Sequence, residues 1–196
     1  MKKKKAIVFG GSSGIGKAIV NSLDKSNFDI VNPSSSTLNT SNIKQIKEFI
    51  AKEKVTDILV LNTGGPPAKD FFSINQDEWL HYYYQLFYGF VYLLQNIKIN
   101  DNGYIFLISS HTIKNPENKL VLSNAYRVAL TSVLKTLSKI YAERNISCIN
   151  IAPGPIKTRR LLNLVDDMEK FEKSLPMKRA GDPSEIGRFI KAIIDN

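Results

Sequence analysis

A chain of 196 residues, 43% hydrophobic and 23% charged, has the composition of one globular domain around a single core. No apolar run nears the ~18 residues that a membrane-crossing helix needs, and a single cysteine, Cys148, excludes an internal disulfide and a cysteine-built metal cluster. The net charge of +9 is spread along the chain with no nucleic-acid motif beside it, so it reads as a solvated surface with some attraction for phosphate-bearing ligands.

The opening "MKKKKAIVFGG" has the basic-then-apolar order of a secretion signal, but its apolar run covers only Ala6 to Phe9 and glycines follow at once. A cytoplasmic protein is expected. "KAIVFGG" reads as a first strand and "GIGKAIVNSLDK" as the helix after it. "FDIVN" is a second strand, "NPSSS" a turn and "TLNTS" a short extended segment; Ser41 or Asn42 then caps the helix "NIKQIKEFIAKEK". "DILVLNTGGPP" is a buried strand ending in a turn, and "DEWLHYYYQLFYGFVYLLQ" a long helix. "GYIFLISS", a helix from Ser123 to about Glu143, "ISCINIAPGP" and the capped helix "DPSEIGRFIKAII" complete the alternation. Strand and helix in strict turn are the mark of a parallel α/β sheet. Neither repeats nor a linker interrupts it, so residues 1–196 form one domain.

"FGGSSGIGKAI" sets Gly10, Gly14 and Gly16 between an apolar strand and a helix. Glycines there permit a tight turn, and the amides of Ser12, Ser13 and Ile15 with the helix N-terminus suit a diphosphate. A dinucleotide-binding loop is expected. Past the second strand, where an NAD site usually presents an acid, the chain reads "VNPSSST". With no acid to repel it, a 2′-phosphate is free to take hydrogen bonds from Ser34 and its neighbours, which favours NADP over NAD.

These motifs resemble the short-chain dehydrogenase/reductase family. Phe9 takes the Thr place of its Thr-Gly-x-x-x-Gly-x-Gly loop, and "LNTGG" matches its Asn-Asn-Ala-Gly turn with Asn62, Thr63 and Gly64. "PGPIKT" lies where the family packs the nicotinamide, with Pro153, Gly154, Ile156 and Thr158, and "PMKRAGDPSEI" resembles a later segment of the family. Asn39 stands near the family's adenine-side Asp. The resemblance covers almost the whole chain and is nearest to a divergent subgroup labelled 3-oxoacyl-carrier-protein reductase-like. It implies a Rossmann-like doubly wound sheet. Asn32 to Ser41 leave no room for a helix between strands two and three, and the chain stops at Asn196 before a seventh strand. Six strands in the order 3-2-1-4-5-6 are therefore expected.

The family's catalytic set is Asn, Ser, Tyr and Lys. Ser110 holds the serine place; thirteen residues on, Ser123 stands for Tyr, and four further, on the same helical face, Arg127 stands for Lys. Counted from Trp79, the Asn place falls on Leu86. A serine hydroxyl is far too weakly acidic to replace a phenol near neutral pH. Tyr126 is the foremost substitute donor, with His111, Tyr82 and Tyr83 behind it. Arg127 is also expected to hold the cofactor ribose.

An NAD(P)-dependent oxidoreductase acting on a small carbonyl or alcohol is the leading reading. A dinucleotide-binding protein without redox turnover, as sensor or partner subunit, is the alternative, and a cofactor-assisted elimination or isomerisation the third. The resemblance also implies a homodimer through helices 77–96 and 123–143, while the spread charge and the short apolar runs point to no nucleic-acid or membrane partner. Residues 159–176 are expected to form a lid, with Arg159 and Arg160 solvated at its base. Cys148 reads as an inert buried thiol.

Overall fold

The computed structural model describes residues 3–196. Five parallel strands form the sheet: β1 (Lys4–Val8), β2 (Phe28–Val31), β3 (Val55–Leu61), β4 (Lys98–Ile108) and β5 (Ser147–Ile151), in the order β2-β1-β3-β4-β5. Side chains alternate between its faces, and both faces are apolar. Ile7, Leu59, Ile105 and Leu107 meet one layer, built from α2 (Ile43–Lys52), α4 (Gly89–Asn96) and α5 (Val121–Tyr141). Ala6, Val8, Ile58 and Phe106 meet the other, built from α1 (Gly14–Ser22) and α8 (Pro183–Asp195). Each fully buried aliphatic side chain contributes about 1.5–3 kcal/mol. Asn42 caps α2 by accepting from the amides of Lys44 and Gln45, and Asp182 with Glu185 forms a capping box for α8.

The α/β class, the parallel sheet and the absence of a helix straight after β2 agree with the sequence reading. "TLNTS" differs: it forms no strand. Thr37 and Leu38 both donate their amides to the Ser34 carbonyl, and Asn39 Oδ1 accepts from the Ser41 amide at 3.0 Å. Short polar side chains give this backbone local partners that compete with a ladder. β2 is therefore the sheet edge, and 3-2-1-4-5-6 without its third strand becomes the observed order.

The long helix expected after β3 is also interrupted. α3 (Gln76–Tyr83) passes through a π-helical turn, Tyr84–Tyr88, before α4. Four of its five tyrosines pack on one another: Tyr83 lies 5.9 Å from Tyr88 with rings nearly parallel, and Tyr88 meets Tyr84 and Tyr92, while Tyr82 packs edge-on to His81. After β5 come α6 (Arg159–Leu162) and α7 (Met168–Ser174), which lean over the C-terminal ends of the strands. Among the described residues no helix is long and apolar enough to cross a membrane, and no group of three His, Cys, Asp or Glu is placed to hold a metal. Burial pushes the Cys148 thiol up to about 11, so it stays protonated and inert.

Candidate functional site

Two adjoining cavities of about 480 and 450 Å³ form one cleft at the C-terminal ends of the strands, with Asn62, Thr63, Thr158 and Arg160 in the wall between them. The glycine loop floors the first cavity. Gly10 and Gly14 adopt φ of 64° and 51°, in the left-handed region that suits glycine. Ser13 precedes α1 without a side-chain cap, which leaves the first amides of the helix for a ligand. Gly16 acts one step back. It lines neither cavity, but a Cβ there would sit 2.1 Å from the Gly10 carbonyl oxygen, so its bare backbone is what lets α1 lie against the loop. Asn62 fastens β3 to the same loop, donating Nδ2 to the Phe9 carbonyl at 3.2 Å.

Gly10, Ser12, Ser13, Gly14, Ile15, Ser34 and Asn39, which the sequence reading assigns to the cofactor, all line this first cavity. Ser34 Oγ lies 2.7 Å from Ser36 Oγ and 3.3 Å from Thr37 Oγ1, a cluster of hydroxyls at the cavity edge with no carboxylate in it. Asn39 turns its Oδ1 inward to Ser41. Gln85 was not legible in the sequence. From the π turn, which carries it past the ordinary helical register, its side-chain amide nitrogen Nε2 donates to the Gly64 carbonyl at 3.1 Å and reaches Thr63 Oγ1 at 3.5 Å. Leu86, on the family's Asn place, is buried and lines neither cavity.

The second cavity holds Ser110, Ser123 and Arg127, together with Pro153, Gly154, Ile156 and Thr158 from the loop after β5. Arg127 projects from α5 into the floor. Its Nε donates to Ser123 Oγ at 3.1 Å, Nη1 to the carbonyls of Ile108 and Ser109 at 2.8 and 3.4 Å, and Nη2 to the Thr63 carbonyl at 3.3 Å. A guanidinium has five N–H groups, so one on Nη2 remains for a ligand. No carboxylate pairs with Arg127 among the described residues. Burial, and then the Arg160 charge, lower it to about 10, so it is a cation at neutral pH.

Both serines accept internally. Ser123 Oγ takes the Arg127 Nε–H, and Ser110 Oγ takes the Thr112 amide and hydroxyl at 3.2 and 3.1 Å. Each hydroxyl therefore keeps its own proton to donate into the cavity. Two O–H donors beside a fixed cation suit an oxygen that gains negative charge.

Tyr126 is not brought into the cleft. Its hydroxyl donates to the Trp79 carbonyl at 2.9 Å, its ring packs edge-on to Trp79, and burial raises it above the usual tyrosine range. Arg160 corrects another expectation, since it is not solvated. It lies across the cleft wall and donates Nη1 and Nη2 to the carbonyls of Gly65 and Pro66, each at 2.8 Å; Arg159 beside it is exposed. Residues 159–176 do cover the cavity, through Leu161, Leu164 and Phe171.

The cleft thus runs from the glycine loop at one end to Ser110 at the other. A family model described as enoyl-(acyl carrier protein) reductase matches residues 36–195. The 7alpha-hydroxysteroid dehydrogenase of Paraclostridium sordellii is 30% identical over 158 residues, 75% of this chain, and the match spans 58% of that protein's length. The 3-oxoacyl-(acyl-carrier-protein) reductase of Buchnera aphidicola is 25% identical over 222 residues, 99% of this chain and 91% of that one. A small-chain dehydrogenase crystallised with NADPH has the same fold, with a TM-score of 0.86 at 23% identity over 100% of this chain and 92% of that one.

Proposed function

The chain belongs to the short-chain dehydrogenase/reductase family, and from that premise we propose that it is an NAD(P)-dependent oxidoreductase working between a carbonyl and an alcohol, with serine and arginine where its family has tyrosine and lysine. The observation that carries this reading is the pair of free O–H donors, Ser110 and Ser123, beside the unpaired Arg127 cation. The nicotinamide, when bound, supplies or takes the hydride. Ser110 and Ser123 hold and polarise the substrate oxygen. Arg127 fixes Ser123, offers its remaining N–H to the ribose, and keeps a positive charge under the reacting oxygen. Gly14 and the α1 amides take the diphosphate.

NADP is the favoured cofactor because the hydroxyl cluster of Ser34, Ser36 and Thr37 presents no acid. In a fluorescence titration NADPH is expected to bind more tightly than NADH. Ser34→Ala should weaken NADPH by about tenfold, the loss of one hydrogen bond to a charged group, and leave NADH unchanged. No binding of either up to millimolar concentration would sink the proposal. A second reading, dinucleotide binding without turnover, draws on the displaced Tyr126. It wins if NADPH binds tightly yet none of an acetoacetyl thioester, an α-diketone and an aromatic aldehyde is reduced.

A homodimer through the α3 and α5 side is part of the same proposal. Leu80, Tyr84 and Val128 leave 49%, 37% and 45% of their surfaces exposed there, more apolar surface than a monomer gains by showing. Light scattering should give a dimer for the protein and a monomer for Leu80→Glu/Val128→Glu; a monomeric wild type would refute this part.

A further inference from the structure

His111 stands on the single 3-10 turn that follows β4, and its ring lines the same cavity as Ser110 and Ser123. Both of its nitrogens face oxygen acceptors. Nδ1 lies 3.3 Å from the Pro153 carbonyl, and Nε2 lies 3.1 Å from Glu117 Oε1. A neutral imidazole has one N–H. Only the doubly protonated ring donates to a carbonyl and a carboxylate at once.

The other groups at that cavity cannot lend a proton. Glu117 is the carboxylate that His111 donates to, and Arg127 and Arg160 stay protonated. Tyr126 is turned to Trp79, and Tyr82 lines the other cavity. We propose that His111, held by Glu117 and the Pro153 carbonyl, is the proton donor to the substrate oxygen in reduction and the acceptor in the reverse direction; this rests on the oxidoreductase reading above.

The carbonyl carbon gains a C–H bond with the electron pair of the dihydronicotinamide C–H bond that breaks. The C=O π pair moves onto oxygen, and that oxygen takes the proton from Nδ1. Nδ1 is the nitrogen that gives way because its bond is the longer one and its acceptor is uncharged, whereas Nε2 stays with a carboxylate. The N–H leaves the Pro153 carbonyl for the substrate oxygen, and the ring is left neutral with its Nδ1 lone pair accepting from the new hydroxyl. It regains a proton from water, which reaches a side chain that is 38% exposed.

The chain has two histidines, His81 and His111, so nitrogen-15 NMR of the histidine-labelled protein resolves both, with His81→Gln as the assignment control. The charged groups that line the same cavity as His111 are Glu117, Arg127 and Arg160. At low pH both His111 nitrogens are expected to carry protons, and at high pH Nε2 alone. With NADPH and the α-diketone, kcat should fall as pH rises, at the midpoint of that NMR titration. His111→Gln should lower kcat by ~10²–10⁴-fold and abolish that limb while NADPH binds as before. Glu117→Gln should move the NMR midpoint and the kinetic limb together. If the wild type reduces the diketone and His111→Gln is as fast with the same limb, this assignment alone falls. An unprotonated Nδ1 wherever the enzyme is active overturns it as well. If the wild type binds NADPH and reduces none of the carbonyls, the oxidoreductase reading fails and the assignment with it.

Discussion

Gly16→Ala is expected to abolish dinucleotide binding, raising the dissociation constant of NADPH by at least about a hundredfold, a loss near 2.7 kcal/mol. The added methyl would sit 2.1 Å from the Gly10 oxygen, 2.6 Å from its carbonyl carbon and 2.9 Å from Asn62 Nδ2. Two of those three atoms are backbone, so no rotamer change relieves the clash. Either α1 moves off the loop or the loop moves off β3, and both displace the amides proposed to take the diphosphate. Gly64→Ala is the matched control. A Cβ there meets nothing within 4 Å, and its NADPH affinity should stay within about twofold, far below one hydrogen bond's worth. The comparison is made by fluorescence titration with melting curves alongside. Equal affinities in the two variants would mean that the loop does not bind the phosphates.

Arg127→Leu is expected to cost ~10–100-fold in NADPH affinity, the range for one lost charge-assisted hydrogen bond, and to disable turnover by freeing Ser123. Its effect on stability is mixed. The carbonyls of Thr63 and Ile108 lose their donor, which destabilises, but a desolvated cation is removed, which helps. The pH dependence separates the two. Burial lowers the folded-state value from the usual guanidinium range to about 10, so between these limits the unfolded chain binds the extra proton. Stability held back by this group therefore returns as pH rises through about 10. Melting curves should show the wild type losing less than Arg127→Leu as pH passes 10. Arg127→Lys keeps the charge but not the fork, and should fall between them in affinity. An Arg127→Leu protein with unchanged affinity would remove Arg127 from the site.

The glycine loop was legible because strand, glycines and helix follow one another within a few residues, and Ser110, Ser123 and Arg127 because their spacing survives on one strand end and one helix face. What escaped depends on contacts between distant segments. "TRR" offers two arginines, and nothing local says that Arg160 lies on Gly65, 95 residues away. Counting from Trp79 lands on Leu86, but the π turn delivers Gln85 to the cleft instead. Helical spacing left Tyr126 within reach of Ser123; the Trp79 carbonyl on α3 claims it. "TLNTS" has the threonines of a strand, yet its serines and asparagines bond their own backbone.

The link from Arg160 to Gly65 and Pro66 bears on how the chain matures. The cleft wall is finished only when a residue more than four-fifths of the way along the sequence reaches back to the turn after β3. Domains fold as synthesis proceeds from the N-terminus, so a nascent chain can shape the glycine loop long before the wall beside it exists. A nucleotide that needs both rewards only the finished domain. By mass action, ligand at a hundred times its dissociation constant adds about 2.7 kcal/mol to the whole fold. The supply of cofactor in its surroundings thus becomes a determinant of how long each molecule of this protein survives.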